Sequence, residues 1–311
     1  MPQIGSLALR SFIQTKEAPE VNSDDSKFEV WSWPYFVVLL LVMWPLTLWV
    51  AMKKFFCHLF CLELKVNTYW VDGVSQASRE IKENAGNWRS LDIIYNFYHG
   101  RGTWVDNFWI GIRNAQAVRN RKRVVKSFLI KHFSELAMRC EKNLTILSVA
   151  SGSAQAVIEA IGILRKRGVE VTAYLYDRDE TALENARTLA KKHGVEDAIR
   201  CVCEDVCNIR KVLRKLPKCH VVEMVGLLDY FKSDSATKMI KIFKQLLREE
   251  GVFLVATINH NLECFFLRTV VNWKMVYRSR REFSKVLRNS GFSKFDFLEE
   301  PLGIHHIAVA R

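Results

Sequence analysis

At 311 residues the chain has room for two domains of about 150 residues, or for one α/β domain with additions. A composition 49% hydrophobic and 25% charged excludes wholesale disorder, and 14 Gly with 6 Pro exclude collagen-like and low-complexity chains. The 46 basic against 33 acidic residues, a net charge of +13, favour an anionic neighbour without choosing between nucleic acid, acidic lipid and acidic substrate.

Residues 1–30 are polar and acidic, lack periodicity, and read as a flexible tail. From Trp31 to Met52 the sequence WSWPYFVVLLLVMWPLTLWVAM carries no formal charge. As a helix it would extend about 33 Å, enough to cross a hydrocarbon core, and we expect a single transmembrane helix. Trp31, Trp33, Tyr35 and Trp49 resemble an interfacial belt, and Pro45 should kink the helix. A cleaved signal fits poorly, because the run starts late and is long; a buried or re-entrant helix is the other alternative. Lys53, Lys54 and Lys65 beyond the run, against Lys16 and Lys27 before it, place the C-terminal body on the cytoplasmic side. The eight scattered cysteines have no CxxC spacing, so we expect reduced thiols and no metal site.

Residues 53–142 read as a juxtamembrane and helical cap region. After the apolar FFCHLFCLEL, two stretches stand out. The aromatic-rich segment from Trp88 to Trp109 contains Phe97, Tyr98, Trp104 and Phe108 and a Gly100/Gly102 hinge, and could be a lid or a packed cap. In IRNAQAVRNRKRVVKSFLIKHF, the residues Arg113, Arg119, Arg121, Lys122 and Arg123 make the strongest basic cluster. It could be a solvated helix face or a contact for anionic lipid headgroups; no RNA-recognition motif accompanies it, and no nucleic-acid partner is expected.

From residue 143 to 311 short apolar runs alternate with amphipathic helices. Strands are expected at LTILSVA, VEVTAYLYD, AIRCVCEDV, HVVEMVGLLDYF and VFLVATINHN, with SATKMIKIFKQLLREEG a helix between the last two. Such units imply a parallel sheet covered on both faces. The final runs FSKFDFLEE and IHHIAVAR, joined through Pro301–Gly303, form a hairpin, which forces one antiparallel strand.

Chemistry-bearing residues fall at the carboxyl ends of these strands, where open α/β sheets bind ligands. The turn Ser148-Val-Ala-Ser-Gly-Ser-Ala154 lets backbone approach a ligand; Asp177 follows Gly152 by 25 residues, near the separation of a ribose-binding carboxylate; Asp205 ends the third strand. Together they point to a nucleoside-containing cofactor. Beyond strand four, Gly226–Tyr230 would face an acceptor, and Asp229 or Glu223 could position it or the cofactor's amino group. A carboxylate acceptor needs no base; a hydroxyl or amine would, and His260 is then the candidate, unless it is a plain loop residue. Trp273 and Tyr277 could line an acceptor pocket or simply pack.

Over roughly residues 105–311 these features resemble the class I S-adenosylmethionine-dependent methyltransferases. The resemblance implies a Rossmann-like seven-stranded α/β sheet in the order 3-2-1-4-5-7-6. It places Ser148 at a usually acidic position and Ala150 and Ala154 at usual glycines, with Gly152 retained. It gives Asp177 to the ribose, Asp205 and Val206 to the adenine, and leaves Arg113 as an option for the cofactor carboxylate. VVEMVGLLDYF, RNAQAVRNR and FFLRTVVNWKMVYRS are similar to a subgroup with such a segment after strand four, some relatives of which are implicated in making fatty-acid methyl esters.

The reading is a membrane-anchored methyltransferase with S-adenosylmethionine as cofactor and an amphiphilic, lipid-like or fatty-acid acceptor. Catalytic candidates are Asp229, Tyr230 and His260; cofactor candidates are Ser148, Ala150, Gly152, Asp177, Asp205, Val206 and Glu223. The rival is an inactive relative serving as cofactor sensor or scaffold, for which the glycine-poor turn speaks. A nicotinamide-dependent oxidoreductase is disfavoured by the missing GxGxxG and by the terminal hairpin.

Overall fold

Residues 27–30, 34–64, 69–96, 103–209, 213 and 216–311 are described in the computed structural model of the chain. The expected tail up to residue 26, Trp31, Trp33, Lys65, Phe97, Tyr98 and the Gly100/Gly102 hinge lie outside them.

The C-terminal half forms one seven-stranded sheet from β1 (Leu144–Val149), β2 (Val171–Asp177), β3 (Ile199–Cys203), β4 (Cys219–Met224), β5 (Leu247–Ile258), β6 (Phe295–Leu298) and β7 (His305–Ala310). Its order is β3-β2-β1-β4-β5-β7-β6, the expected one, with β7 antiparallel to both β5 and β6. The central strands are apolar throughout because both faces are covered: Ile146, Val221 and Leu254 join one core cluster, and Leu147, Val222 and Phe253 the other.

Two boundaries differ from the sequence reading. The helix expected to continue to Gly251 stops at Lys244, and Leu247–Gly251 opens β5 instead. Leu-Arg-Glu-Glu favours helix locally, but pairing of Leu247 with Cys219, across a register shift between Cys219 and Val221, overrides it. The fourth strand also ends early, at Met224. Beyond it Gly226 takes φ +97°, and Leu228–Tyr230 forms a single 3-10 turn. Arg278, buried beneath this turn, donates to the carbonyls of Leu228 (2.9 Å) and Phe231 and so fixes its path.

The N-terminal half supplies α1 (Tyr35–Leu59), α2 (Gln76–Glu83), α3 (Trp88–Asn96), α4 (Trp104–Ile110) and α5 (Arg113–Met138), and α6 (Gln155–Lys166), α7 (Glu180–Lys192) and α8 (Ser233–Lys244) alternate with the strands. Helix α1 is the one helix, among the described residues, long and apolar enough to cross a membrane. It contains a π-helical stretch, Leu39–Met43, just before Pro45, whose missing N–H frees an upstream carbonyl. One face of α1, Tyr35, Leu39, Met43 and Val50, packs in a cluster with Phe266, Leu267 and Val270.

Helix α5 overturns the solvated-face reading of the basic cluster. Arg119, Arg121 and Lys122 are all buried. Arg119 and Arg123 pair with Glu29, at 2.5 and 3.1 Å, and Lys122 and Lys126 with Glu159, at 3.1 and 2.9 Å. Burial would raise the Glu159 carboxyl, but the two lysines outweigh it and hold it below its ordinary range. Arg113 is placed over the ring of Tyr35, 4.9 Å from its centroid.

The N-terminus of α5 has no side-chain cap of its own. Glu263, buried just before α9 (Cys264–Thr269), takes that part from outside: its carboxylate accepts from the N–H groups of Arg113 (3.0 Å) and Asn114 (2.9 Å). The Tyr35 hydroxyl donates to the same carboxylate at 3.0 Å. Glu263→Ala should therefore strand three buried donors and lower unfolding free energy by about 2–4 kcal/mol, measurable by chemical denaturation. A loss under about 0.5 kcal/mol would show that the tie is dispensable.

Candidate active site

The polar residues singled out in the sequence meet at the carboxyl ends of β1, β2 and β4. After β1 the turn carries three residues in the left-handed region: Ala150 (φ +50°), Gly152 (φ +54°) and Ala154 (φ +49°), the last being the N-cap of α6 (Gln155–Lys166). The two alanines hold the backbone conformation that glycine adopts freely, at a cost of roughly 1 kcal/mol each. The Asp177 carboxylate at the end of β2 accepts from the Gly152 N–H (2.7 Å) and the Asp179 N–H (3.0 Å), which ties the turn to the next strand. Asp205 caps the 3-10 turn Val206–Asn208 by accepting from the Cys207 N–H at 2.8 Å, while Val206 packs on the core.

Ser148, fully enclosed on β1, stands directly opposite Glu223 on β4 and donates its hydroxyl to that carboxylate. Burial pushes the Glu223 carboxyl up to about 7, against the opposing pull of Ser148, the Val225 N–H and Arg121. Asp229 lies in the turn beyond β4 and accepts from Thr257 Oγ1 (3.0 Å) and the Ile258 N–H (2.8 Å). Its carboxyl is raised by burial too, more than Arg121 and these donors offset.

Beside this polar floor is an apolar cavity of about 90 Å³. Gly226, Asp229, Tyr230 and Arg121 form its polar end; Trp109, Phe266, Val271 and Trp273 are among its apolar walls. The Trp273 indole donates to the Tyr230 hydroxyl at 2.8 Å, and Trp109 stacks on Phe266 with centroids 5.2 Å apart. A volume of this size holds a short apolar segment.

Sequence reasoning missed three members. Arg121, 4% exposed, was hidden within a cluster read as a surface. His305, at the start of β7, lines the cavity with both ring nitrogens unpartnered; burial, then Arg121 and His306, push its pKa well below the usual imidazole range. Trp88 covers the crevice at the ends of β1 and β2: a Cβ on Gly152 would meet Trp88 Cβ at 3.3 Å, and the Trp88 indole donates to Thr181 at 3.1 Å. No sequence signal marked His305. Trp88 was visible as the first aromatic of the lid segment. That segment divides, with Trp88 over the crevice, Trp109 inside the cavity and Trp104, 72% exposed, pointing away. His260 and Tyr277 stand apart from the cavity, their rings 5.8 Å from each other, and His260 is exposed.

Over residues 12–311 the sequence matches the methyltransferase family described as "Putative methyltransferase". The chain belongs to that family. Among functionally curated proteins none matches. Among solved structures, the fold resembles a "possible exported protein" from Bordetella parapertussis, at 14% identity and TM-score 0.66, covering 91% of this chain and 99% of that one. It also resembles magnesium protoporphyrin IX methyltransferase from Synechocystis PCC 6803, solved with bound SAH, at 13% identity and TM-score 0.50, covering 70% and 95%. A third likeness is the S-adenosylmethionine-dependent methyltransferase SibL, at 12% identity and TM-score 0.50, covering 88% and 76%. The family match and the sheet order together make the chain a methyltransferase.

Two measurements test this geometry. Ala150→Gly should keep or slightly raise the melting temperature, whereas Gly152→Ala should lower it, because the added Cβ meets both an unfavourable φ and Trp88. The opposite ranking would mean that the turn differs from the one described. For Glu223, the folded carboxyl binds its proton more tightly than the unfolded one, so stability should fall as pH rises from about 4.5 towards 7. Glu223→Gln should match wild type at pH 5 and exceed it by roughly 2–3 kcal/mol at pH 8. Parallel urea curves at both pH values, with no gap opening, would contradict the raised carboxyl.

Proposed function

We propose that this chain is a membrane-bound, S-adenosylmethionine-dependent methyltransferase whose acceptor is an amphiphile, lipid-like or a fatty acid. The observation that carries the acceptor class is the cavity, apolar over most of its wall, with the turn Gly226–Tyr230, Arg121 and His305 among its polar groups. Support for the cofactor comes from the family, from the SAH in the Synechocystis enzyme, and from the crevice formed by the positive-φ turn, Asp177 and Asp205. In this reading Asp177 holds the ribose, Asp205 and Val206 frame the adenine, and Glu223, supported by Ser148, faces the methionine ammonium.

Transfer would move the methyl from sulfonium to an acceptor oxygen: the oxygen lone pair forms the new C–O bond, and the C–S electron pair stays on sulfur. For a carboxylate acceptor no proton has to move, in keeping with the absence of His260 from the cavity. Asp229 and Tyr230 then position the acceptor, and Arg121 supplies positive charge at the polar end. Helix α1 serves as the membrane attachment, with the catalytic body on the cytoplasmic side. The eight unpaired thiols suit that side.

The deciding experiment incubates the full chain in detergent with methyl-labelled S-adenosylmethionine and a total lipid extract. Label should pass into the organic phase, and Asp177→Ala should weaken cofactor binding at least about tenfold by calorimetry while the fold is kept. Tight cofactor binding without any transfer would favour the sensor reading. An Asp177→Ala variant with full affinity would remove that residue from the site.

A further inference from the structure

We infer that α1 attaches the protein in the plane of the bilayer surface, docked on the catalytic body, and does not carry the chain across. The inference rests on the membrane part of the proposed function and asks what the folded helix can do. Length and composition alone suit a crossing, but they leave out the face that is already occupied.

That face is held at both ends. Near the start of α1 the Tyr35 hydroxyl donates to Glu263, just ahead of α9. Nineteen residues later Lys54 Nζ donates to the Thr269 carbonyl at 2.6 Å and to Asn272 Oδ1 at 2.5 Å, just after α9. The two ties are about 28 Å apart along the helix, nearly the thickness of a hydrocarbon core. In a crossing, the body residues at either end would have to sit on opposite sides of the membrane. The apolar side chains between them, Leu39, Met43 and Val50, are buried against the body, as is Thr47.

The other face is bare. Of the 22 large apolar side chains exposed among the described residues, 14 lie between Phe36 and Leu62, which makes a patch and not scatter. It continues onto the body through Leu262 and Phe265 beside α9. No acidic residue occurs from Val30 to Leu62. The patch is edged by cations: Lys53 on α1, exposed Arg268 on α9, and exposed Lys274, close enough to repel Lys54. An apolar face with tryptophans, no acid and a cationic edge is complementary to an anionic lipid surface, where apolar groups enter the acyl boundary and cations meet headgroup phosphates. The occupant is therefore a bilayer leaflet.

This placement also brings the leaflet to the acceptor site. Phe266, Leu267 and Val271 line the cavity and belong to the cluster on which α1 rests. An amphiphile would move from the leaflet past the edge of α1 into the cavity without passing through water.

The test uses the full chain, tagged at both ends, with sealed vesicles of phosphatidylcholine with or without phosphatidylglycerol. The protein should float with the vesicles, more strongly with phosphatidylglycerol, and external protease should remove both tags. Leu41→Glu with Leu48→Glu, both on the bare face, should weaken partitioning at least about tenfold while leaving the melting temperature and cofactor affinity unchanged. Met43→Glu, on the docked face, should instead unfold or loosen the protein. An N-terminal tag protected while the C-terminal tag is cut would establish a crossing and overturn the inference. Absence of flotation, with a solution dimer that the double variant dissolves, would assign the face to a second copy and overturn it too. Loss of cofactor binding or of methyl transfer in wild type would count against the proposed function and leave the topology result standing.

Discussion

Four cations buried along α5 set the terms for everything around them. Arg119, Arg121, Lys122 and Lys126 are each less than a tenth exposed, and a buried cation without compensation costs several kcal/mol. Three of the four are paired with two scaffold carboxylates. Glu29 brings the segment before α1 against α5, and Glu159 locks α5 to α6. The fourth, Arg121, turns instead towards Tyr95, Asp229 and Tyr230, and only partly opposes the burial that raises the Glu223 carboxyl. The charge balance of the site is thus part of the charge balance of the scaffold, and a change at Glu223 or Asp229 is felt at the helix that supports them.

The sheet was legible because its signals are local and repeated. Short β-branched apolar runs such as LTILSVA and HVVEM, set between helical stretches, read as doubly covered strands, and the turn at Pro301–Gly303 points to the antiparallel β7. Leu247–Gly251 was not legible, since its helix-favouring residues become strand only through pairing with β4. The basic cluster misled for a related reason. A run of arginines normally marks a wet face, and only the positions of Glu29 and Glu159, remote in sequence, show this one to be dry. His305 gave no sign, because a histidine opening a strand acquires meaning only when the cavity beside it is known.

The glycine-poor turn shows why composition was a poor guide to the crevice. Ala150 and Ala154 adopt the left-handed backbone that glycine would supply, and the hydrogen bond from the Gly152 N–H to Asp177 holds the loop in that shape. The missing acidic residue at 148 has a counterpart in space. Parallel register sets Glu223 beside Ser148, so a carboxylate stands next to position 148 from the neighbouring strand.

The contact between α1 and the body depends on the solvent. In water, burying Leu39, Met43 and Val50 favours docking by about 1.5–3 kcal/mol per side chain. Against lipid that advantage vanishes, because acyl chains receive the same side chains equally well. What remains are the polar ties at the ends, Tyr35 to Glu263 and Lys54 to Thr269 and Asn272. Separation in hydrocarbon would leave a hydroxyl and an ammonium without partners, at a cost of several kcal/mol. Their placement at both ends resists peeling from either side, so the docked state would persist in lipid for polar reasons although apolar packing forms it in water. Because Glu263 also caps α5, the tie that keeps α1 in place is shared with the helix that carries Arg121 into the cavity.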